Sequence, residues 1–426
     1  MQALLVFLIV AALSLLASSR SLLDPARFPA LAQLGASGLL FLIFGALIGP
    51  SVLGVLTPLN LDSLRPLVAL GLGTAGVLLG LNLEPRLLRL LPRPVYAAAV
   101  AHAGTAFLFV ALPLSVPLLL SMGLRPLVAV GAAALLGAAA SLSSGHFAVL
   151  GYRNGRLERS RGLGVALLTM MDDAVGLGVL ALGLVLGATG NVAEGLGLLG
   201  LALILGVACG ALLAFLTRAL KDPAEQSTVT LGMVALVGGA AAYLRLSALL
   251  AGVACGATLA LMGGRTAERV ARALSRVERP TYLVLVFMVG CQVHARDLGA
   301  WALLPAFVGL RFVGKVLGGR FAQRLTRGVL DLPPQFGYAL IAQGGLALCI
   351  VAEYVLLVPG SLSQRVLDVV AVGAVVNEVL AHGAFRHVLG AEDAPPTGGT
   401  PPEAPGDAPG DGQGPGAPGS SAGVVA

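Results

Sequence analysis

The sequence predicts an all-α integral membrane protein with about thirteen transmembrane helices. Three observations predict this fold class. The 426 residues are 57% hydrophobic and only 11% charged, whereas a soluble domain carries roughly 25% charged residues. Apolar stretches of about 20 residues, long enough to cross a hydrocarbon core near 30 Å, recur along nearly the whole chain. The loops between these stretches alternate between arginine-rich and arginine-poor.

The individual elements follow from apolar runs separated by polar loops. The predicted spans cover roughly 3–18, 31–49, 67–83, 95–121, 126–150, 163–187, 195–217, 228–244, 247–263, 281–294, 299–319, 336–358 and 365–388. The first lacks a preceding basic segment, so we interpret it as a retained span rather than a cleaved signal peptide. Residues 391–426 are rich in Pro and Gly and contain five acids but no Lys or Arg, which predicts a disordered tail.

The orientation follows from the 27 Lys and Arg residues. Twenty lie in loops on one side, five lie in loops on the other, and Arg311 and Lys315 lie inside a span. Because positive charge accumulates in cytoplasmic loops, we expect the amino terminus outside and the tail in the cytoplasm of a multi-pass protein of the plasma (inner) membrane. The net charge of +6 is explained by these loops, so no nucleic-acid partner is expected.

A weak internal repeat divides the membrane domain, residues 1–390. Four matches recur in the same order at offsets of 205 to 210, and they pair Gly80–Leu88 with Gly290–Leu298, Gly45–Gly49 with Gly252–Gly256, Gly104-Thr105 with Gly314-Lys315, and Asp172-Asp173 with Asn377-Glu378. The predicted units are repeat one (about 1–188), a linking helix (about 195–217) and repeat two (about 228–390). Such copies have opposite orientations in the membrane, and the substrate site of transporters built this way lies near the midplane.

The most informative residues are ionisable groups inside predicted spans, each costing at least about 2.5–3.5 kcal/mol at the bilayer centre. Asp172 and Asp173 are adjacent in span six, and neighbouring carboxylates do not readily ionise together without a nearby cation. Lys315 is the candidate cation, because the pKa of lysine shifts readily on burial. Arg311 lies one turn away, and the sequence leaves open which of the two pairs with Asp172. The alternative is a buried ion-pair cluster that only fixes helix packing.

Spans five and twelve carry small and polar residues at mid-membrane. These are Ser143, Ser144 and Gly145 in the first and Gln343, Gly344 and Gly345 in the second. Such residues permit unwinding, and the freed carbonyls can help to coordinate an ion. Alternatively, they allow close helix packing.

Other polar residues receive a structural interpretation. Asn377 and Glu378 in the last span are expected to support the core. Glu353 and Asp368 are expected near the outer surface, where solvent satisfies them. His102 is interpreted as a helix-contact histidine rather than a proton relay. The sequence shows no metal-ligand spacing, phosphate-binding glycine loop or nucleophile triad, so we expect neither an enzyme nor a resident cofactor.

Five motifs follow one another along residues 1–390: Phe44–Gly54, Val77–Arg86, Asp172–Leu177, Gly314–Gly319 and Val376–Glu378. Together they resemble the monovalent cation:proton antiporters, in particular the Kef/NapA-type branch. The resemblance implies an NhaA/NapA-like fold, an inverted repeat of two six-helix units with two broken crossing helices. It also implies a homodimer with a dimerisation half and a moving core half.

The same resemblance implies the roles of the site residues. Asp173 would bind the cation or the proton, Asp172 would pair with Lys315, and the breaks would flank them. The expected function is exchange of sodium or potassium for protons by alternating access, with a transient monovalent cation at Asp173 and Asp172. Many relatives have a Thr-Ser pair at the first break and Arg-Gly-Glu at the second, so the ion preference stays open here.

Two other functions remain as alternatives. The same helix arrangement serves sodium-coupled uptake of organic anions, although the adjacent acid pair argues against that substrate. A membrane sensor that has lost transport is the second alternative, and the intact set of Asp172, Asp173 and Lys315 argues against it.

Overall fold

A computed structural model of the chain describes residues 34–83, 91–121, 126–144, 159–187, 190–263, 265–294, 296–330, 332 and 335–390. The regular elements of these residues are all helices: α1 (Leu39–Ile48), α2 (Pro58–Ser63), α3 (Arg65–Asn82), α4 (Arg93–Ser121), α5 (Pro126–Ser141), α6 (Arg159–Gly187), α7 (Val192–Ala219), α8 (Pro223–Tyr243), α9 (Ala248–Met262), α10 (Arg265–Cys291), α11 (Leu298–Leu325), α12 (Phe336–Ala339), α13 (Gly345–Leu357) and α14 (Ser361–Gly390). The first predicted span (3–18) and the tail (391–426) lie outside the described residues.

The helices have the length and surface of membrane-spanning segments. Five of those described, α3, α4, α6, α7 and α11, contain stretches long and apolar enough to cross a bilayer. Large apolar side chains on their outer faces are exposed; on α7, Ile204 is 66% and Phe215 is 69% accessible. Because soluble proteins rarely expose contiguous apolar surface of this kind, these faces are suited to contact lipid.

The structure differs from the prediction at α10. Residues 265–279 were expected to form a basic loop before a span at 281–294, but one helix runs from Arg265 to Cys291, passing through Pro280. Five arginines, at 265, 269, 272, 276 and 279, recur at intervals of four and three residues and therefore share one helical face. The arginines of this segment indicate a membrane boundary, but they do not end the helix. The helix continues beyond that boundary as an amphipathic segment.

Two groups of helices pack mainly within themselves. The core group consists of α4, α5, α6, α11, α12, α13 and α14, and the panel group consists of α1, α3, α7, α8, α9 and α10. Helix α13 lies between them, against α3, α9 and α10. Each group combines helices from both halves of the sequence.

Glycines bring the main helix pairs into close contact. In the core group, a methyl group on Gly318 of α11 would lie 2.7 Å from the carbonyl oxygen of His102 on α4. In the panel group, a methyl group on Gly256 of α9 would overlap the carbonyl of Val77 on α3. The first of these contacts places the face of α11 that carries Lys315 directly against the face of α4 that carries His102.

Candidate functional site

The candidate site lies where two non-helical segments cross. Helix α5 ends at Ser141, and residues 142–144 are not helical; residues 340–344 separate α12 from α13. The backbone N–H of Ser144 donates to the carbonyl oxygen of Ala342 at 2.9 Å, which joins the two segments. Gly344 packs against the backbone of Ser143, and Gly145 lies outside the described residues.

Arg311 holds the two segments together. Its guanidinium is fully buried and donates to Leu142 O at 2.8 Å, to Ala342 O at 3.4 Å and to Ile341 O. The unwound segments leave carbonyl groups without helical partners, and these bonds satisfy three of them. Arg311 therefore stabilises the non-helical backbone of both breaks through hydrogen bonds.

Lys315 is the residue that pairs with Asp172. Its Nζ lies 3.4 Å from Asp172 Oδ2 and donates to Ser143 Oγ at 2.6 Å and to Ser141 O. The Ser143 hydroxyl in turn donates to Asp172 Oδ2 at 2.9 Å. All of these side chains are buried, so the negative charge of Asp172 is balanced by direct contacts rather than by water.

His102 belongs to the same cluster. Its Nδ1 lies 3.0 Å from the Asp172 carboxylate, and the side chain is completely buried beside Phe336. The interpretation of His102 as a simple helix-contact residue therefore missed a contact to the site. The sequence held one signal: His102 is three residues before Thr105, the repeat counterpart of Lys315, and residues three apart share a helical face.

Asp173 differs from its neighbour. It is half-buried, and its carboxylate has no hydrogen-bond partner among the described residues. Successive residues of a helix point about 100° apart, so Asp173 faces away from the partners of Asp172. Lys315 is the positively charged group that acts electrostatically on Asp173.

A cavity of about 310 Å³ lies between the two helix groups, at the start of α13. It is lined by α3, α10 and α13, with Asn82 and Glu278 among its polar residues. Cys349 of α13 also lines it. Because Asn82 is at the end of α3 that precedes an arginine-rich loop and Glu278 is in the arginine-rich half of α10, this cavity is on the side predicted to be cytoplasmic.

The remaining predicted site residues lie around the second break. Gln343 donates to Ala139 O at 3.0 Å and accepts from Asn377 Nδ2 at 3.1 Å, so it joins α5 to α14. Glu378 is buried, and its charge acts on Arg311. Gly345 packs against the ring of Tyr282 on α10. These residues support the backbone around the acids.

The expectation that Glu353 and Asp368 are solvated was wrong. Glu353 is fully buried and accepts a bond from the N–H of Leu249, at the start of α9. Asp368 is 2% exposed and accepts from the His294 N–H at 2.9 Å and from Gln364 at 3.0 Å. Neighbouring helix ends cover both carboxylates and replace the water that the sequence position suggested.

If the carboxylates, Lys315 and Arg311 are ionised and His102 is neutral, three carboxylates (Asp172, Asp173 and Glu378) face two cations (Lys315 and Arg311). The described cluster then carries one excess negative charge. Ionisable groups buried between broken helices of an apolar bundle are typical of ion-coupled membrane transporters. The geometry is therefore that of an ion-coupled membrane transporter.

The family follows from comparison with known proteins. Residues 5–388 match the family model described as "Sodium/hydrogen exchanger, transmembrane", and the chain belongs to that family of transporters. Two structures of the sodium proton antiporter MjNhaP1 from Methanocaldococcus jannaschii share the fold. The structure at pH 8 has a TM-score of 0.60 and 14% identity, covering 92% of this chain and 99% of that one. An electron-microscopy structure has a TM-score of 0.54 and 13% identity, covering 83% and 91%. No curated protein sequence matches the chain significantly.

Proposed function

We propose that the protein exchanges a monovalent cation, sodium or potassium, for protons across the membrane, and that Asp173 is the group that binds them in turn. The observation that supports this proposal most strongly is the Asp173 carboxylate, which has no hydrogen-bond partner among the described residues, beside a fully paired Asp172. A half-buried carboxylate within an apolar helix bundle is costly to keep charged without a partner, so a proton or a cation is expected to neutralise it. A site that only fixed helix packing would have no need of this second acid.

The exchange proceeds in steps that the side chains can perform. Asp173 releases its proton into the cavity and takes up a dehydrated cation, which also contacts Asp172 and carbonyl groups of the two breaks. The cation weakens the attraction between Asp172 and Lys315, because it offers the same carboxylate a second positive partner. Since only a neutralised Asp173 crosses the membrane cheaply, the cation and proton fluxes are coupled.

Alternating access requires the core group to move against the panel group. At the ends of these helices opposite the cavity, the N–H of Leu249 in the panel group donates to Glu353 in the core group, and we expect this bond to break when the groups move apart there. This proposal includes four further features that rest on the charge pattern and the family resemblance. They are the inverted repeat of thirteen spans, the outside amino terminus, the plasma-membrane location and the homodimer.

A test uses everted membrane vesicles, a dye that reports the proton gradient, and additions of sodium, potassium or lithium. We expect dequenching with sodium or potassium for the wild type and none for Asp173→Asn, because asparagine cannot exchange a proton. Asp222→Asn is a matched control, since Asp222 is an exposed helix cap whose role asparagine fills equally well.

The outcomes distinguish the alternatives. An undiminished response of Asp173→Asn would refute the assignment of the ion site. Sodium-driven uptake of a labelled organic acid without cation-induced dequenching would favour the organic anion symporter. Absence of both activities in wild-type protein present in the membrane would favour a sensor without transport.

A further inference from the structure

A basic cavity of about 200 Å³ lies on the panel group, between the start of α8 and the amphipathic first half of α10. Four cationic side chains line it. Lys221, in the loop before α8, is on one wall, and Arg269, Arg272 and Arg276 of α10 are on the other. The other described lining residues are neutral, so no carboxylate among them faces these charges. The cavity is separate from the ion site, whose side chains belong to the core group.

The positive charges around this cavity are not neutralised within the part of the chain that the structure describes. None of the four side chains has an ion-pair partner there. Arg272 donates through Nε to the backbone carbonyl oxygen of Glu268 at 3.4 Å, which engages no carboxylate. Arg272 and Arg276 are four residues apart on one helix, and like charges at this spacing destabilise a helix. An anion bound in the cavity would relieve this repulsion.

Topology alone would explain arginines on this side of the membrane, because positive charge accumulates in cytoplasmic loops. It does not require cations from two separate elements to converge on one cavity, as they do here. The arginines are also carried by a helix whose opposite face is anchored in the protein by Val270 and Leu274, both fully buried. The cluster is therefore built into the fold.

The cavity lies near the depth of the lipid headgroups. The predicted spans that follow its two walls begin near residues 228 and 281. At about 1.5 Å per helical residue, Arg276 is then about 8 Å from the hydrocarbon core, and Ser227 is closer. The headgroup region extends about 5–8 Å beyond that core, so both walls of the cavity reach it.

We propose that this basic cavity binds a phosphate group, which either an anionic phospholipid headgroup or a soluble phosphate compound supplies. The guanidinium groups of Arg272 and Arg276 offer paired N–H donors to phosphate oxygens, and Lys221 adds a point charge from the opposite wall. Basic pockets between membrane helices bind phospholipid headgroups in this way. The inference does not depend on the proposed exchange, because it concerns binding to the panel group and is tested by stability.

The test measures the midpoint of thermal unfolding of the purified full-length protein in a nonionic detergent. One arm compares phosphatidylglycerol with phosphatidylcholine of the same acyl chains, and the other compares potassium phosphate with potassium chloride at the same potassium concentration. A ligand that binds the folded protein raises the midpoint as its concentration increases. A rise with phosphatidylglycerol alone identifies the lipid headgroup as the source, and a rise with phosphate alone identifies a soluble compound.

Arg272→Gln/Arg276→Gln removes two of the four charges. Each basic residue near an anionic surface changes affinity by about fivefold, so about 25-fold more ligand should be needed for the same rise. Arg320→Gln/Arg324→Gln is the matched control, because both residues are exposed at the arginine-rich end of α11 and neither lines the cavity. It loses the same charge and should respond as the wild type does.

Lys221→Gln tests the opposite wall of the cavity and replaces the double variant if that protein does not accumulate. It should need about fivefold more ligand than the wild type. Equal responses of the cavity variants and the control variant would overturn the proposal. Absence of any rise in the wild type with both phosphatidylglycerol and phosphate would overturn it as well. The cation/proton exchange is measured separately and stands or falls on its own assay.

Discussion

At the scale of single residues, the site separates two adjacent acids by their surroundings. Asp172 receives bonds from Ser143, His102 and Lys315, whereas Asp173 receives none from the described residues. The difference comes from the helix geometry, which directs the two side chains to different sides of α6. One acid is thereby held by three side chains, and the other is the acid to which we assign the exchange.

The Lys315–Asp172 pair makes a prediction about stability. Lys315→Gln removes the cation from a fully buried pair, which typically costs about 3–5 kcal/mol because the remaining charge is left uncompensated. We expect this loss in the free energy of unfolding of the purified protein in detergent. The double variant Asp172→Asn/Lys315→Gln should be more stable than Lys315→Gln alone, since the orphaned charge is gone.

Arg324→Gln is the control for that measurement. Arg324 is exposed on the last turn of the same helix, and its substitution should change stability by no more than about 0.5 kcal/mol. Equal effects of Lys315→Gln and Arg324→Gln would mean that the buried pair does not contribute as described.

At the scale of the elements, the sequence predicted most of what the structure shows. Every predicted span from 31–49 onward contains a helix, and in the two spans chosen for their polar centres the helix is interrupted at those centres. These features follow from hydropathy and from glycine and serine, which are local signals. The helical course of α10 through the basic segment was missed, because charge was taken as the sign of a loop.

Side-chain partners could not be predicted in the same way. Choosing between Arg311 and Lys315 required knowing which turn of α11 lies beside Asp172 and which lies beside the breaks. The contact of His102 with Asp172 depends on the packing of α4 against α6, which brings together residues 70 positions apart in sequence. The partners of these side chains are determined by tertiary contacts, which local sequence signals do not reveal.

The glycine contact between α3 and α9 gives a prediction at this scale. Gly256→Ala places a methyl group against the Val77 carbonyl, and overpacking of this kind typically costs about 1–3 kcal/mol. Gly239→Ala on α8 is the matched control, because a methyl group there meets nothing within 4 Å. Thermal unfolding in detergent should show a lower midpoint for Gly256→Ala alone. Similar midpoints for both variants would contradict the close packing of these helices.

At the scale of the whole molecule, two helix groups meet at one shared site. The core group carries the acids and both breaks, and the panel group forms the opposite wall of the cavity on the side predicted to be cytoplasmic. The bond between Glu353 and Leu249 connects the groups on the other side. Movement of one group against the other would open one path as it closes the other, with the charges of the site moving as a unit.

The most direct test of the exchange uses purified protein in liposomes loaded with sodium or potassium chloride and diluted into choline chloride. If outward cation flux is coupled to inward proton flux, the lumen should become acidic in wild-type liposomes. It should remain unchanged with Asp173→Asn and in liposomes without protein. Acidification of equal size with Asp173→Asn, or none with wild-type protein for either cation, would contradict cation/proton exchange at this site.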